Sequence, residues 1–189
     1  MQKISCLALG LFLSVSVFAQ TWTWDKMHSQ LNFSIKHMGI SFVEGGFKSV
    51  TATVTSSKDD LSDAVVELTA DVNSLNTGVD MRDNHLKTDA FFDAAKYPTL
   101  TFKSTSFTKV DDKNYQVTGD LTLHGVTKSV TLNAVFNGTA TNPQSKKTSA
   151  GFTITGTINR ADFNIGSAFP DAMLSNAVTL DANAEFVKG

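Results

Sequence analysis

Residues 115–136 read YQVTGDLTLHGVTKSVTLNAVF. Tyr115, Val117, Gly119, Leu121 and Leu123 fall on every second position; His124-Gly125 interrupts, and Val130, Leu132, Ala134 and Phe136 resume the alternation. Gln116, Thr118, Asp120 and Thr122 stand between the apolar residues of the first run. Side chains of a strand point alternately to its two faces, so each run predicts a strand with one face buried and one wet. The His-Gly pair between them reads as a turn.

The same period continues outward in both directions. Leu31, Phe33, Ile35 and His37 alternate with polar residues, as do Val50-Ala52-Val54, Val66-Leu68-Ala70-Val72 and Leu100-Phe102. Phe152-Ile154-Gly156-Ile158 and Val178-Leu180-Ala182-Ala184-Phe186 complete the set. Lys58-Asp59-Asp60, Asp111 to Asn114 and Asn142 to Lys147 read as further turns. About eight or nine such strands in one domain, residues 20–189, predict an all-β closed barrel or sandwich. One stretch breaks the rule. Asp80 to Thr88 has an acid at its start, another at Asp83 and no β-branched run, which predicts a short helix with Asp80 as its N-cap. A second helical turn is expected at Phe91 to Ala95, ended by Tyr97-Pro98 because the residue before proline is pushed out of the helical region.

The amino end follows a different grammar. Lys3 precedes an apolar stretch from Ile4 to Phe18, and Val17 and Ala19 are small residues at the −3 and −1 positions of a cut. This predicts a cleaved signal peptide at residues 1–19, hence a periplasmic or secreted protein. The stretch is shorter than the roughly 20 residues that cross a bilayer. The single cysteine, Cys6, lies inside this leader, so the exported chain would carry neither a disulfide nor a thiol ligand. A formal net charge of −2 argues against a nucleic-acid partner, whose footprint would be basic.

The interior can be read in two ways. Large Phe alternate with Ala52, Ala70, Gly119, Ala134, Gly156, Ala182 and Ala184, a pattern that suits a solid core or an apolar tunnel. The phenylalanines are the better candidates for ligand contact: Phe33, Phe42, Phe47, Phe91, Phe92, Phe102, Phe136, Phe152 and Phe163, with Ile35 and Leu121 on the same inward runs. Phe91 and Phe92, beside the helix, are the expected gate. Arg82 and Arg160 are the only arginines. A guanidinium grips phosphate or carboxylate in a bidentate way, but Asp83 and Asp162 stand beside them, and a structural ion pair is the expected role. His28, His37, His85 and His124 show no zinc spacing; His28 and His37 meeting across strands is the one metal option. His37 and His85 suit polar caps on an apolar pocket. Asp83, His85 and Ser29 or Ser34 can be drawn as a hydrolase triad, but no G-x-S-x-G elbow supports it.

Five phrases occur together and in order: Asp25-Lys26-Met27-His28-Ser29 leading to Phe33-Ser34-Ile35-Lys36-His37; Arg82-Asp83-Asn84-His85-Leu86-Lys87; Tyr97-Pro98-Thr99-Leu100-Thr101-Phe102; Gly119 to Lys128; and Arg160-Ala161-Asp162-Phe163-Asn164-Ile165-Gly166. In these the chain resembles the YceI-like, or polyisoprenoid-binding, family of secreted bacterial proteins. The resemblance implies an extended, lipocalin-like antiparallel β-barrel of about eight strands with a short helical insertion. It implies a long-chain lipid, such as an isoprenoid or fatty amide, held in a central tunnel without a cofactor, with transient membrane contact and homodimerisation as further expectations. A stress-linked enzyme or a metal or redox accessory using the His and Arg groups is the alternative, and a structural sandwich with a solid core is a third.

Overall fold

The computed structural model describes residues 19–58, 61 and 63–189. The leader, Ala19 apart, and the Asp59-Asp60 turn lie outside the described residues. In chain order the elements are β1 (Gln20–Trp24), β2 (Gln30–His37), β3 (Ser41–Phe47), β4 (Val50–Ser56), β5 (Val65–Asp71), β6 (Leu75–Asn76), α1 (Asp80–Leu86), β7 (Thr99–Lys109), β8 (Asn114–Leu123), β9 (Val126–Thr141), β10 (Thr148–Asn159) and β11 (Leu174–Lys188). A 3₁₀ turn covers Val72–Ser74 and another Arg160–Phe163.

The strands form a closed eight-strand antiparallel barrel, ordered β1-β4-β5-β7-β8-β9-β10-β11, with β1 pairing back onto β11. The wall then continues upward: β11 pairs with β1 at Phe186–Lys188 and with β2 along Leu174 to Asn183, and β2 carries β3 and β6. β7 to β11 run the length of the molecule, whereas β1/β2, β3/β4 and β5/β6 are staves that break and resume. Ser29 manages one break: its hydroxyl donates to the Glu185 carbonyl at 3.2 Å and accepts the Glu185 N–H at 2.8 Å, standing in for ladder bonds. Ser74 manages a second, its hydroxyl taking the Ser49 N–H at 2.9 Å and its carbonyl the Lys48 N–H at 3.2 Å.

The period-two residues form the core: Val50, Ala52 and Val54, Tyr115 to Leu123, and Ala182, Ala184 and Phe186 are buried on alternate positions. The small residues do not all free volume. A methyl on Gly119 would stand 2.5 Å from the Phe102 ring, and one on Gly156 would collide with Leu132, so these glycines admit a neighbour's side chain. His124 and Gly125 have φ of 52° and 73°, the two left-handed positions of a tight β8–β9 hairpin.

The helix needs two corrections. Asp80 is its first residue and not its cap: Val79 occupies the cap position and no side chain bonds the free N–H groups. The working acid is Asp83, buried at 5% exposure, which accepts the Thr77 N–H at 2.8 Å, the Thr77 hydroxyl at 2.5 Å and the Asn76 amide at 3.3 Å. It fastens the segment entering the helix. The expected second helical turn is a run of tight turns, in which Asp93 adopts φ 47° and accepts from both Lys96 and Tyr97.

Candidate functional site: an apolar cavity with a polar mouth

Inside the barrel is a cavity of about 450 Å³, within the range of small-molecule sites. Its wall is built from the inward residues of the strands: Leu31, Phe33 and Ile35 of β2, Val43 and Phe47 of β3, Val66 and Leu68 of β5, Phe102 and Phe107 of β7, Leu121 of β8, Leu132 of β9, Ile154 of β10 and Leu180 of β11. Polar lining residues are few: Asn32, His37, Arg82, His85 and Arg160.

At the end remote from α1, three lining rings are each backed by an aromatic that does not line the cavity. Phe107 meets Tyr115 at 4.9 Å between centroids, Phe152 meets Phe136 at 5.3 Å, and Phe186 meets Trp24 at 5.8 Å. At the helical end Phe91 stacks on Phe169 at 5.2 Å, His85 stands edge-on to Phe91 at 5.1 Å, and Phe92 stands edge-on to Phe47 at 6.2 Å. Phe91 is buried and fixed, since Gly166 leaves only enough room for its ring. Phe92 is half-buried and less confined.

The structure brings Phe33, Ile35, His37, Phe47, Arg82, His85, Phe91, Phe92, Phe102, Leu121, Phe152 and Arg160 to this cavity. It excludes three residues expected there. Phe42 is 63% exposed on the outer face of β3, with the Lys36 ammonium 5.6 Å from its ring centroid. Phe136 lies behind Phe152, and Phe163 is sealed in the core at 1% exposure while its carbonyl accepts from His124 at 2.9 Å. Phe107, Phe169 and Phe186 take their place on the wall. Phe107 shares a face with Phe102, five positions earlier, because a bulge between Ser104 and Ser106 resets the parity of β7.

Neither arginine pairs with its neighbouring aspartate. Arg160 is 3% exposed and gives all its donors to backbone carbonyls: Ser175 at 3.1 Å, Ile165 at 2.9 Å, Gly166 and Phe169 at 2.6 Å, and Leu174 at 2.8 Å. Burial pushes its pKa below the ordinary value, and the nearby Asp171 opposes that. Arg82 donates Nε to the Thr77 hydroxyl at 2.7 Å and Nη2 to the Thr77 carbonyl at 2.8 Å, so Thr77 stands between it and Asp83.

His28 and His37 do not meet: His28 lies in the turn that precedes β2, and His37 is the last residue of that strand. Instead Asp25, His28 and Glu185 bring potential metal-ligating atoms within 4.8 Å of one another, outside the cavity. The imidazole Nδ1 there is 2.9 Å from Asp25, which draws the His28 pKa up and holds the Asp25 carboxyl down. The drawn triad is not assembled either: Asp83 is bonded to Thr77 and Asn76, and Ser29 to Glu185.

An apolar cavity inside the barrel decides against the solid core, and comparison decides the kinship. The YceI-like domain matches residues 22–186. The chain belongs to the YceI-like family. The YceI protein of Salmonella arizonae is 41% identical over 161 residues, covering 84% of this chain and 83% of that one. The crystal structure of the Campylobacter jejuni YceI protein is 36% identical with a TM-score of 0.72, covering 79% of this chain and 87% of that one. A polyisoprenoid-binding domain from Saccharophagus degradans, implicated in plant cell wall breakdown, shares the fold at a TM-score of 0.61 and 20% identity, covering 87% of this chain and 97% of that one. The YceI-like barrel thus accounts for the motif order, with Asp25–Ser29 at a stave break, Arg82–Lys87 on the helix and Arg160–Gly166 beside the mouth.

Proposed function

We propose that this chain is an exported binding protein that holds the long apolar tail of an amphiphilic lipid, of isoprenoid or fatty-acid type, in its barrel cavity. The carrying observation is the cavity itself, whose wall is apolar from Phe186 to Phe33 and whose polar lining is confined to a handful of groups. Each methylene moved from water to such a wall gains about 0.8 kcal/mol, and a bilayer offers nearly the same, so exchange between the two is close to balanced. Carriage then needs no chemical step, and no catalytic residue is assigned.

The mouth is suited to a bilayer. Met38 and Ile40, at 51% and 89% exposure, form the tip of the β2–β3 hairpin; Met38 has φ 53°, a conformation normally left to Gly or Asn. Met38 donates to the carbonyl of Met173, itself a lining residue, so this apolar tip adjoins the opening. Export is tested by the amino-terminal sequence of the protein recovered from culture, expected to begin at Gln20. Binding is tested by native mass spectrometry of protein purified without detergent, followed by solvent extraction. A stoichiometric lipid is expected; a lipid-free protein that takes up neither added isoprenoids nor fatty acids or amides overturns the reading.

A further inference from the structure

The two arginines that line the cavity differ in how much of each guanidinium is left over. A guanidinium has five N–H donors. Arg160 spends all of them on the carbonyls of Ser175, Ile165, Gly166, Phe169 and Leu174, and nothing remains for a ligand. Arg82 spends one Nε and one Nη2 donor, both on Thr77. Its Nη1 has no protein partner among the described residues, and no carboxylate pairs with it there.

The neighbouring charge is already occupied. Asp83 takes the hydroxyl and N–H of Thr77 and the Asn76 amide, so its contact with Arg82 runs only through the bridging Thr77 hydroxyl. Thr77 therefore does two things at once: it separates the Arg–Asp neighbours and holds one edge of the guanidinium still. The result is a half-buried, immobilised cation with no direct carboxylate contact, its Nη1 unspent, on the wall of an apolar cavity. Such a charge is costly unless an anion joins it, and a guanidinium edge matches carboxylate and phosphate oxygens. His85, three residues on and so on the same side of α1, lines the cavity too.

Resting on the carrier reading above, we infer that Arg82 is the head-group site: the cavity selects amphiphiles with an acidic head, carboxylate or phosphate, over neutral ones with the same tail. Phosphate and carboxylate share the chemistry, and the test separates them.

The experiment is calorimetric titration of the lipid-stripped full chain with palmitate, palmitamide, farnesyl phosphate and farnesol. Wild type is expected to bind at least one acid about tenfold or more tightly than its neutral counterpart. Arg82→Gln is expected to abolish that preference while palmitamide or farnesol still binds, and Arg82→Lys to restore it in part. Preference for palmitate alone makes the head a carboxylate, and for farnesyl phosphate alone a phosphate. Equal affinity for acids and neutral partners in wild type overturns the head-group site but leaves the carrier reading standing. Failure of all four to bind removes both. Thermal denaturation guards the comparison: Arg82→Gln must melt near wild type, and if it does not, Thr77→Val, which releases the guanidinium toward Asp83, must lose the same preference for the inference to hold.

Discussion

The ring of Phe102 lies across the bare backbone of Gly119, on the neighbouring strand, where an added methyl would come within 2.5 Å of it. The same methyl would stand 2.5 Å from the Lys103 carbonyl, which belongs to the ladder and cannot swing away. Gly119→Ala is therefore expected to destabilise the barrel by about 1–3 kcal/mol, the usual cost of overpacking. Urea denaturation checks this, and in a Phe102→Ala background Gly119→Ala should cost less by the part due to the ring.

Arg160 holds the segment from Ile165 to Leu174 by its carbonyls. Arg160→Met would leave five acceptors unsatisfied, and a loss of about 3–5 kcal/mol is expected. Arg160→Lys should recover little, because one ammonium cannot reach so divergent a set. A mild phenotype in the denaturation midpoint would refute the clamp.

Phe92 is the less confined of the two rings expected to gate the mouth, touching Phe47 edge-on, while Phe91 is packed between Phe169 and His85. Phe92→Ala should speed release of bound lipid several-fold to acceptor vesicles with little change in melting. Phe91→Ala should instead lower stability by about 3–5 kcal/mol. Unchanged release from Phe92→Ala removes the gate.

Ala182 lines the cavity from β11. Ala182→Leu adds three carbons to the space a tail would occupy, displacing about 2 kcal/mol of methylene burial. Lipid retention should fall by a factor of tens while stability holds or rises, since the new side chain meets apolar wall. Retention equal to wild type in native mass spectrometry would mean the tail lies elsewhere.

The Asp25–His28 pair makes a pH-dependent contribution. His28 is raised above its ordinary 6.5 chiefly by the hydrogen bond to Asp25, and Asp25 is lowered below 3.8 by His28 and the Met27 N–H. The His28 contribution is complete below about pH 6.5 and is lost as pH rises through its raised folded value; that of Asp25 is present above about pH 4 and is lost as pH falls through its depressed one. NMR titration should give His28 a midpoint above 6.5 that Asp25→Asn returns toward normal. An identical midpoint in both proteins would show that the pair does not form in solution.

Strand parity explains what the sequence could show of the site. Leu31, Phe33 and Ile35 are legible because β2 has no irregularity within it. Phe42 was excludable on the same rule, since it stands five positions from the inward Phe47 on one unbroken strand. Phe107 was not, because its place depends on a bulge that leaves no mark in the local pattern. The arginines show a different limit. Adjacent Asp residues suggested ion pairs, but partners for Arg160 are backbone carbonyls gathered by the loop that follows it, and carbonyls carry no sequence signature. Glu185 joined Asp25 and His28 through barrel closure, across more than 150 residues of chain.

The three aromatic pairs opposite the helix, Phe107–Tyr115, Phe152–Phe136 and Phe186–Trp24, give the barrel a doubled floor. Among the described residues the polar lining lies toward the other end, and under the proposed carriage a lipid that enters there tail first backs out head first. Nothing in the fold then sets a direction of travel. Under the proposed carriage, loading and delivery are the same journey run in reverse, and how full the membrane it meets already is decides which one takes place.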